Sequence, residues 1–292
     1  MKLLMQASVL LPAIVLAGQP IDVSADNHDW SKKISINGLI EVEYSNGEDY
    51  AGASVSDVAL GAIALGIEAS VNNMITANIL LLEEDNDATS DEVDEAYLIY
   101  ANPKDPVLTF RAGRLYIPFG VFGSHTVSDP LTLELGEAQE SALQLDYSAN
   151  MMTASFYLFN GDSNEANAAG DDEAEQFGVN FSYSKEAKDA VFEANFGYIS
   201  SIADSDRLSG SIAAVDSLDS YVAGINAYVG YSKAPISLSF EHLGASSKFD
   251  VTELAFKGDG ARPTTYSIDA GYELTVFNQE AVLGVSIQGS DE

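Results

Sequence analysis

The residues with most chemical potential gather around one stretch, GRLYIPFGVFGSHTVSDPLTLELGEAQES, from Gly113 to Ser141. Arg111, Arg114 and Tyr116 end an alternating, strand-like run at 107–116. Pro118-Phe119-Gly120 then stops that run, because proline cannot donate to a ladder. His125, Asp129, Glu134 and Glu137 follow in a long excursion with a turn signal at Ser128-Asp129-Pro130 and an amphipathic LTLELGE segment. Guanidinium groups offer fixed donors to carboxylate-rich solutes. Polar groups on a loop folded into a pore set its selectivity. Arg111, Arg114, Tyr116, His125, Asp129, Glu134 and Glu137 are therefore the candidate constriction. Two placements stay open: a loop that enters a lumen, and one that merely covers a mouth.

Other chemistries find less support. The histidines are His28, His125 and His242, and no Gly-x-Ser-x-Gly occurs. Ser124 stands beside His125, but adjacency in sequence does not make a triad. No two histidines fall at metal-ligand spacing. The run Asp85–Asp91 resembles a calcium loop, yet Ser90 stands where glycine is needed and Ala96 where the bidentate glutamate belongs. The reading is a non-enzyme with no cofactor and no resident metal.

The elements that must position these residues read as β-strands. Period-2 alternation dominates after Lys33, with clear examples at 33–45, 176–185 and 191–200. In the last two, Phe177, Val179, Phe181, Phe192 and Phe196 oppose Gly178, Asn180, Asn195 and Gly197. Similar strands cover 55–70, 75–84, 93–102, 107–116, 140–148, 151–160, 221–232, 236–244, 263–274 and 280–289. Each is near the length that a tilted strand needs to cross a bilayer. Connections alternate between short turns and long loops, the mark of an outer-membrane barrel rather than a sandwich. Acid collects in the long connections, lysine in the short ones, and Tyr44, Tyr97, Tyr116, Phe159, Tyr183, Tyr198 and Tyr231 stand near strand ends, as an interfacial girdle requires. The expected fold is all-β, an antiparallel transmembrane β-barrel forming one domain over 26–292.

The bulk properties agree. The chain has 292 residues, 46% of them hydrophobic, and a net charge of -32 from 13 Lys+Arg against 45 Asp+Glu. That apolar content excludes a disordered acidic chain, and the charge repels nucleic acid. It also disfavours an anion-selective pore and would enrich cations at an acidic mouth. Most of the acids read as a solvated surface beside lipopolysaccharide. Cysteine is absent, which removes disulfides and suits an exported protein. Lys2, the apolar Leu3–Ala17 and small residues at Val23-Ser24-Ala25 read as a signal peptide over 1–25. About thirteen strands are visible, whereas bacterial single-chain barrels use an even number. The expectation is that one strand, or more readily three, is missing at the C-terminus, unless a further wall strand hides in 245–262.

The segment GRLYIPFG…SDPLTLELGE resembles the siderophore-porin family typified by the legiobactin receptor, through Ser128–Glu137 and, more weakly, the strand register. Its Gly-x-x-x-x-Pro-Phe-Gly part is more distantly similar to the phosphate-selective porins. The first resemblance implies a sixteen-stranded outer-membrane barrel that admits an iron-loaded siderophore without a TonB-dependent plug. The family's final strands are missing here, and no coiled-coil extension falls between Asp26 and Lys33. The expected role is an outer-membrane porin or receptor for siderophore-sized solutes, with lipid, lipopolysaccharide and the solute as partners. The alternatives are a general diffusion porin and a structural or adhesive barrel.

Overall fold

The computed structural model describes residues 33–48, 54–84, 93–126, 129–166, 174–213, 215–276 and 279–292. The signal peptide expected over 1–25, the calcium-like run Asp85–Asp91 and Ser128 lie outside the described residues. The chain divides into two compact units, Met1–Tyr100 and Ala101–Glu292.

The first unit carries β1 (Ile34–Glu48), β2 (Ser54–Ser70), β3 (Ile75–Glu84) and most of β4 (Glu95–Asn102). They pair antiparallel in chain order, with one register shift at Glu41/Val42. The tight β2–β3 turn is fixed by Asn72, whose side-chain oxygen accepts from the backbone N–H groups of Met74 (2.8 Å) and Ile75 (3.0 Å). Ile36, Ile40, Val58 and Leu98 are exposed on these strands.

The second unit holds the site. Its strands are β5 (Asp105–Tyr116), β6 (Gln139–Ala149), β7 (Met152–Phe159), β8 (Gln176–Ala187), β9 (Ala190–Ile199), β10 (Gly224–Lys233) and β11 (Ile236–Ala245). After a two-residue hairpin, β12 (Ala255–Phe256) and β13 (Asp259–Gly260), come β14 (Thr264–Val276) and β15 (Gln279–Asp291). All but the hairpin pair antiparallel with their neighbours, and β11 pairs directly with β14. The segment 245–262 therefore supplies no wall strand, since β12 pairs only with β13.

The short turns carry their own chemistry. Between β8 and β9, Lys188 and Asp189 take φ of 49° and 66°, the paired left-handed positions of a two-residue hairpin. The long connections include helix α1 (Leu131–Gly136) between β5 and β6, and α2 (Asp206–Ser209) between β9 and β10.

Burial across these strands is inverted relative to a water-soluble protein. Phe181 is 47% exposed and Phe196 45%, while Asn180, beside Phe181 in sequence, and Asn226, in register with Gly197 next to Phe196, are 4% and 0%. Phe177, Phe192, Leu238, Phe240, Ile268 and Val285 share the exposed face; Gln144, Asp146, Ser155, Glu241, Ser267 and Asp269 lie on the covered one. Burying one such aromatic or aliphatic side chain is worth about 1.5–3 kcal/mol. A continuous band of them left in water would be strongly unfavourable, and against hydrocarbon it is not. Phe159, expected among the interfacial aromatics, instead turns inward: it is buried beside Tyr157, ring centroids 6.1 Å apart. Its strand parity puts it with Ser155 and Tyr157.

The apolar core of this unit sits among the long connections and the strand ends that carry them. Phe119, Leu135, Ile199, Ile202, Leu218, Val222 and Leu243 are all buried there.

Candidate functional site

The segment 117–138 leaves β5 and lies against the covered, polar face of the later strands. Two wall carboxylates hold it. Glu241 on β11 accepts from the backbone N–H groups of Val121 (2.8 Å) and Phe122 (3.0 Å), the Thr132 hydroxyl (3.1 Å) and the Asn226 amide (2.7 Å). Asp269 on β14 accepts from the His125 N–H (3.1 Å), from the Ser124 hydroxyl (3.4 Å) and from His125 Nδ1. The other ring nitrogen, Nε2, lies 2.8 Å from Ser237 Oγ on β11. Leu131 N–H donates to Gln288 Oε1 on β15 at 2.7 Å. An irregular backbone cannot satisfy its N–H groups through a ladder, so the wall side chains supply the acceptors.

Glycines shape the floor beneath this segment. A Cβ on Gly197 would stand 1.9 Å from the Phe119 carbonyl oxygen. Ser237, Gly271 and Gly284 form one cross-strand row. A Cβ on Gly271 would come within 2.7 Å of His125 Nε2, and one on Gly284 within 2.4 Å of the His125 carbonyl oxygen. Ser237 lies eight residues, or roughly 26 Å at about 3.3 Å per residue, along β11 from its loop end at Ala245. His125 is thus seated deep on the polar face, and the segment does not simply cap the sheet.

The candidate residues separate by face. Arg111 pairs in register with Gln144 on the polar face and binds the Asp146 carboxylate, which also accepts from Gln144 Nε2 (2.7 Å) and Ser155 Oγ (2.6 Å). Arg114 is three residues on, hence on the opposite face of a period-2 strand, in register with Ser141. Its Nε donates to Gln139 Oε1 at 2.7 Å. Tyr116 shares Arg114's face and pairs in register with Gln139. Glu134 on α1 forms an ion pair with Arg207 on α2 (3.0 Å), and the Glu137 carbonyl accepts from Asp206 N–H (2.9 Å), so both tie α1 to α2. Asp129 is exposed. Arg111 and His125 are the candidates that the polar face gathers; the others lie at its rim or on the far side of β5.

Glu241 and Asp269, which anchor the segment, and Ser237, Asn226 and Asp146, which stand on the same polar face, carry no motif. One signal was available: Glu241 stands between Phe240 and His242, and Asp269 between Ile268 and Ala270, mid-strand. An ionisable side chain within a membrane-crossing segment faces the interior and marks function by default.

A second hub lies in the long connections. Asp204, 1% exposed, accepts from the N–H groups of Asp162 (2.9 Å) and Ser163 (2.6 Å). Burial pushes its carboxyl up to about 6, although those hydrogen bonds pull the other way. Among the described residues no cluster of three or more His, Cys, Asp or Glu is arranged to hold a metal ion.

No family model matches the chain. It is 24% identical over 263 residues to a UPF0422 protein of Coxiella burnetii, covering 87% of this chain and 56% of that one. It is 26% identical over 260 residues to a UPF0422 protein of Legionella pneumophila, covering 81% and 48%. The chain spans about half the length of the curated relatives it matches. Among solved structures it is similar to an anion-selective porin from Comamonas acidovorans, with TM-score 0.56, 13% identity and 87% of this chain and 78% of that one covered. It is also similar to the outer-membrane channel DcaP of Acinetobacter baumannii, with TM-score 0.54, 12% identity and 89% and 80% covered. The OmpF structure of Salmonella typhi in complex with daunomycin matches at TM-score 0.52 and 11% identity, with 88% and 78% covered. Taken with the strand order and the inverted burial, these likenesses fix the fold: it is all-β, antiparallel and porin-like.

Proposed function

We propose that this chain is a bacterial outer-membrane diffusion channel whose passage is narrowed by the segment 117–138. The inverted sheet of the second unit carries the reading: an apolar face left exposed, and a polar face on which that segment is anchored by Glu241 and Asp269. An irregular stretch of backbone at that depth is tolerated only where it lines a wet cavity or is buried in protein. No described helix is long and apolar enough to cross a membrane.

Glu193, Glu241 and Asp269 stand on the polar face, and Arg111 there is matched by Asp146. That balance favours cations or neutral solutes over free anions. The resemblance carried by Ser128–Glu137 points to siderophore-sized cargo, ferric siderophores among them. Reconstitution in planar bilayers tests both levels. Discrete cation-preferring conductance steps are expected, reduced by a ferric siderophore on the loop side. Absence of conductance from folded protein removes the channel. Conductance indifferent to ferric siderophore leaves a general diffusion porin.

A further inference from the structure

We propose that Ser237, His125 and Asp269 form a nucleophilic site that takes acyl or dialkylphosphoryl groups from small uncharged esters reaching the polar face. The three come from β11, the inward segment and β14, and their order of contact is that of a nucleophile, a base and an orienting carboxylate. Asp269 is 1% exposed and fixed by donors from Ser124 and from the His125 backbone. It therefore holds the imidazole with Nδ1–H donating to the carboxylate. That tautomer leaves the Nε2 lone pair toward Ser237, whose hydroxyl donates across 2.8 Å. The site is open, with the His125 side chain 32% exposed and Ser237 half-buried.

Neighbouring residues protect this contact. A Cβ at Gly271 would stand 2.5 Å from Ser237 Oγ and 2.7 Å from His125 Nε2, in the space where the two meet. Seating the segment does not require it, because Asp269 already takes both the backbone and the ring of His125. The Ser237 hydroxyl thus makes a hydrogen bond that anchoring alone leaves unexplained.

The chemistry balances within the site. Ser237 Oγ attacks the ester carbonyl carbon while its proton passes to His125 Nε2, and Asp269 stabilises the imidazolium. The tetrahedral adduct collapses, the carbon–oxygen bond to the leaving alcohol breaks, and His125 returns the proton to that alcohol. Water then attacks the acyl-serine by the same relay and releases the acid. Ser237 lies inside the ladder, paired with Ser232 and Gly271, so its own strand offers no free N–H to a developing oxyanion. Lacking such a donor typically lowers rates by about 10²–10³. Covalent capture, rather than rapid turnover, is the expected signature.

The test uses the full chain in detergent micelles with diisopropyl fluorophosphate. Ser237 Oγ bonds to phosphorus, fluoride leaves, and His125 takes the proton. Peptide mapping should place the label on Ser237, unaffected by Ser239→Ala and slowed by about 10²-fold or more in His125→Gln. Wild-type protein unlabelled at Ser237 overturns the proposal, as does equal labelling in folded wild type and in folded His125→Gln. Channel conductance of the same samples shows whether the variant keeps its segment seated. A preparation that conducts without labelling sinks this site alone, and one that labels without conducting sinks only the channel.

Discussion

Replacing Glu241 should unseat the inward segment, and the hydrogen bonds set the size of the effect. Oε1 accepts from Val121 N–H and Asn226 Nδ2; Oε2 accepts from Phe122 N–H and the Thr132 hydroxyl. In Glu241→Gln one of these oxygens becomes an NH2 group. If it replaces Oε1, Asn226 can flip its amide, since its Oδ1 is buried with no hydrogen-bond partner, but Val121 N–H is then orphaned. If it replaces Oε2, the Thr132 hydroxyl can turn to accept, and Phe122 N–H is orphaned. Either way one buried N–H loses its acceptor, at about 1–3 kcal/mol. Taking about 2 kcal/mol, the ratio of seated to unseated segment falls roughly 30-fold at 1.4 kcal/mol per decade. Glu241→Ala removes all of these acceptors together, on the order of 4 kcal/mol or about 10³-fold. Asp269 still holds His125, so the unseated state is a partial release around 119–124. Single-channel recordings should show brief openings to higher conductance in Glu241→Gln, and a raised, noisy level in Glu241→Ala. A folded Glu241→Ala channel with wild-type conductance and noise would refute the reasoning, because the segment would then not narrow the path.

Phe181→Arg should lower stability in lipid vesicles by about 2–4 kcal/mol, read from urea unfolding; an unchanged midpoint would mean that this face does not meet hydrocarbon. Gly197→Ala drives a Cβ against the Phe119 carbonyl, and overpacking of that kind costs about 1–3 kcal/mol, so chymotrypsin should cut at Phe119 or Phe122 faster than in wild type. Arg111→Ala leaves Asp146 without its cation and should shift reversal potentials toward greater cation selectivity; an unchanged potential takes Arg111 out of the permeation path. Asp204 binds its proton more tightly folded than unfolded, near pH 6 against the ordinary 3.8, so the fold gains as pH falls through 6 toward 4 and loses as pH rises. Asp204→Asn should therefore stabilise the protein at pH 8 relative to wild type by up to about 3 kcal/mol and lose that advantage at pH 4, measured as the difference in urea midpoints.

Strand identity was legible because period-2 alternation is strong wherever one face meets an apolar phase. The thirteen-strand pattern follows from runs such as Gln176–Lys185, and the turn at Lys188–Asp189 falls where the sequence shortens its connection. The site was less legible for a reason of geometry. Arg111 and Arg114 look like a pair in sequence, but three steps along a strand put them on opposite faces. His125 stood out as a loop histidine, whereas its partners Ser237 and Asp269 come close only because β11 pairs with β14 across the 246–263 connection. Phe159 reads as an interfacial aromatic by position, yet parity turns it inward beside Tyr157. Local pattern fixes which residues share a strand face; only register across strands fixes which of them meet.

The inward acids then need an explanation other than solute attraction. Glu241, Asp269, Asp146 and Asp204 each gather several donors, and three of them receive backbone N–H groups from irregular segments. An ionised carboxylate only accepts hydrogen bonds, so it can take several donors at once without presenting a proton of its own. At Glu241, Asp269 or Asp146, where both oxygens accept, a neutral amide must turn a donor toward one of them. Chain that leaves the ladder while staying against a polar wall creates surplus N–H groups, and acids at matching wall positions are the simplest residues that absorb the surplus. Part of the acidity of this protein is thus a structural consequence of carrying a long segment inward. Any cation preference of the channel arises on top of that need, from charges such as Glu193 that lie exposed on the same face outside these hubs.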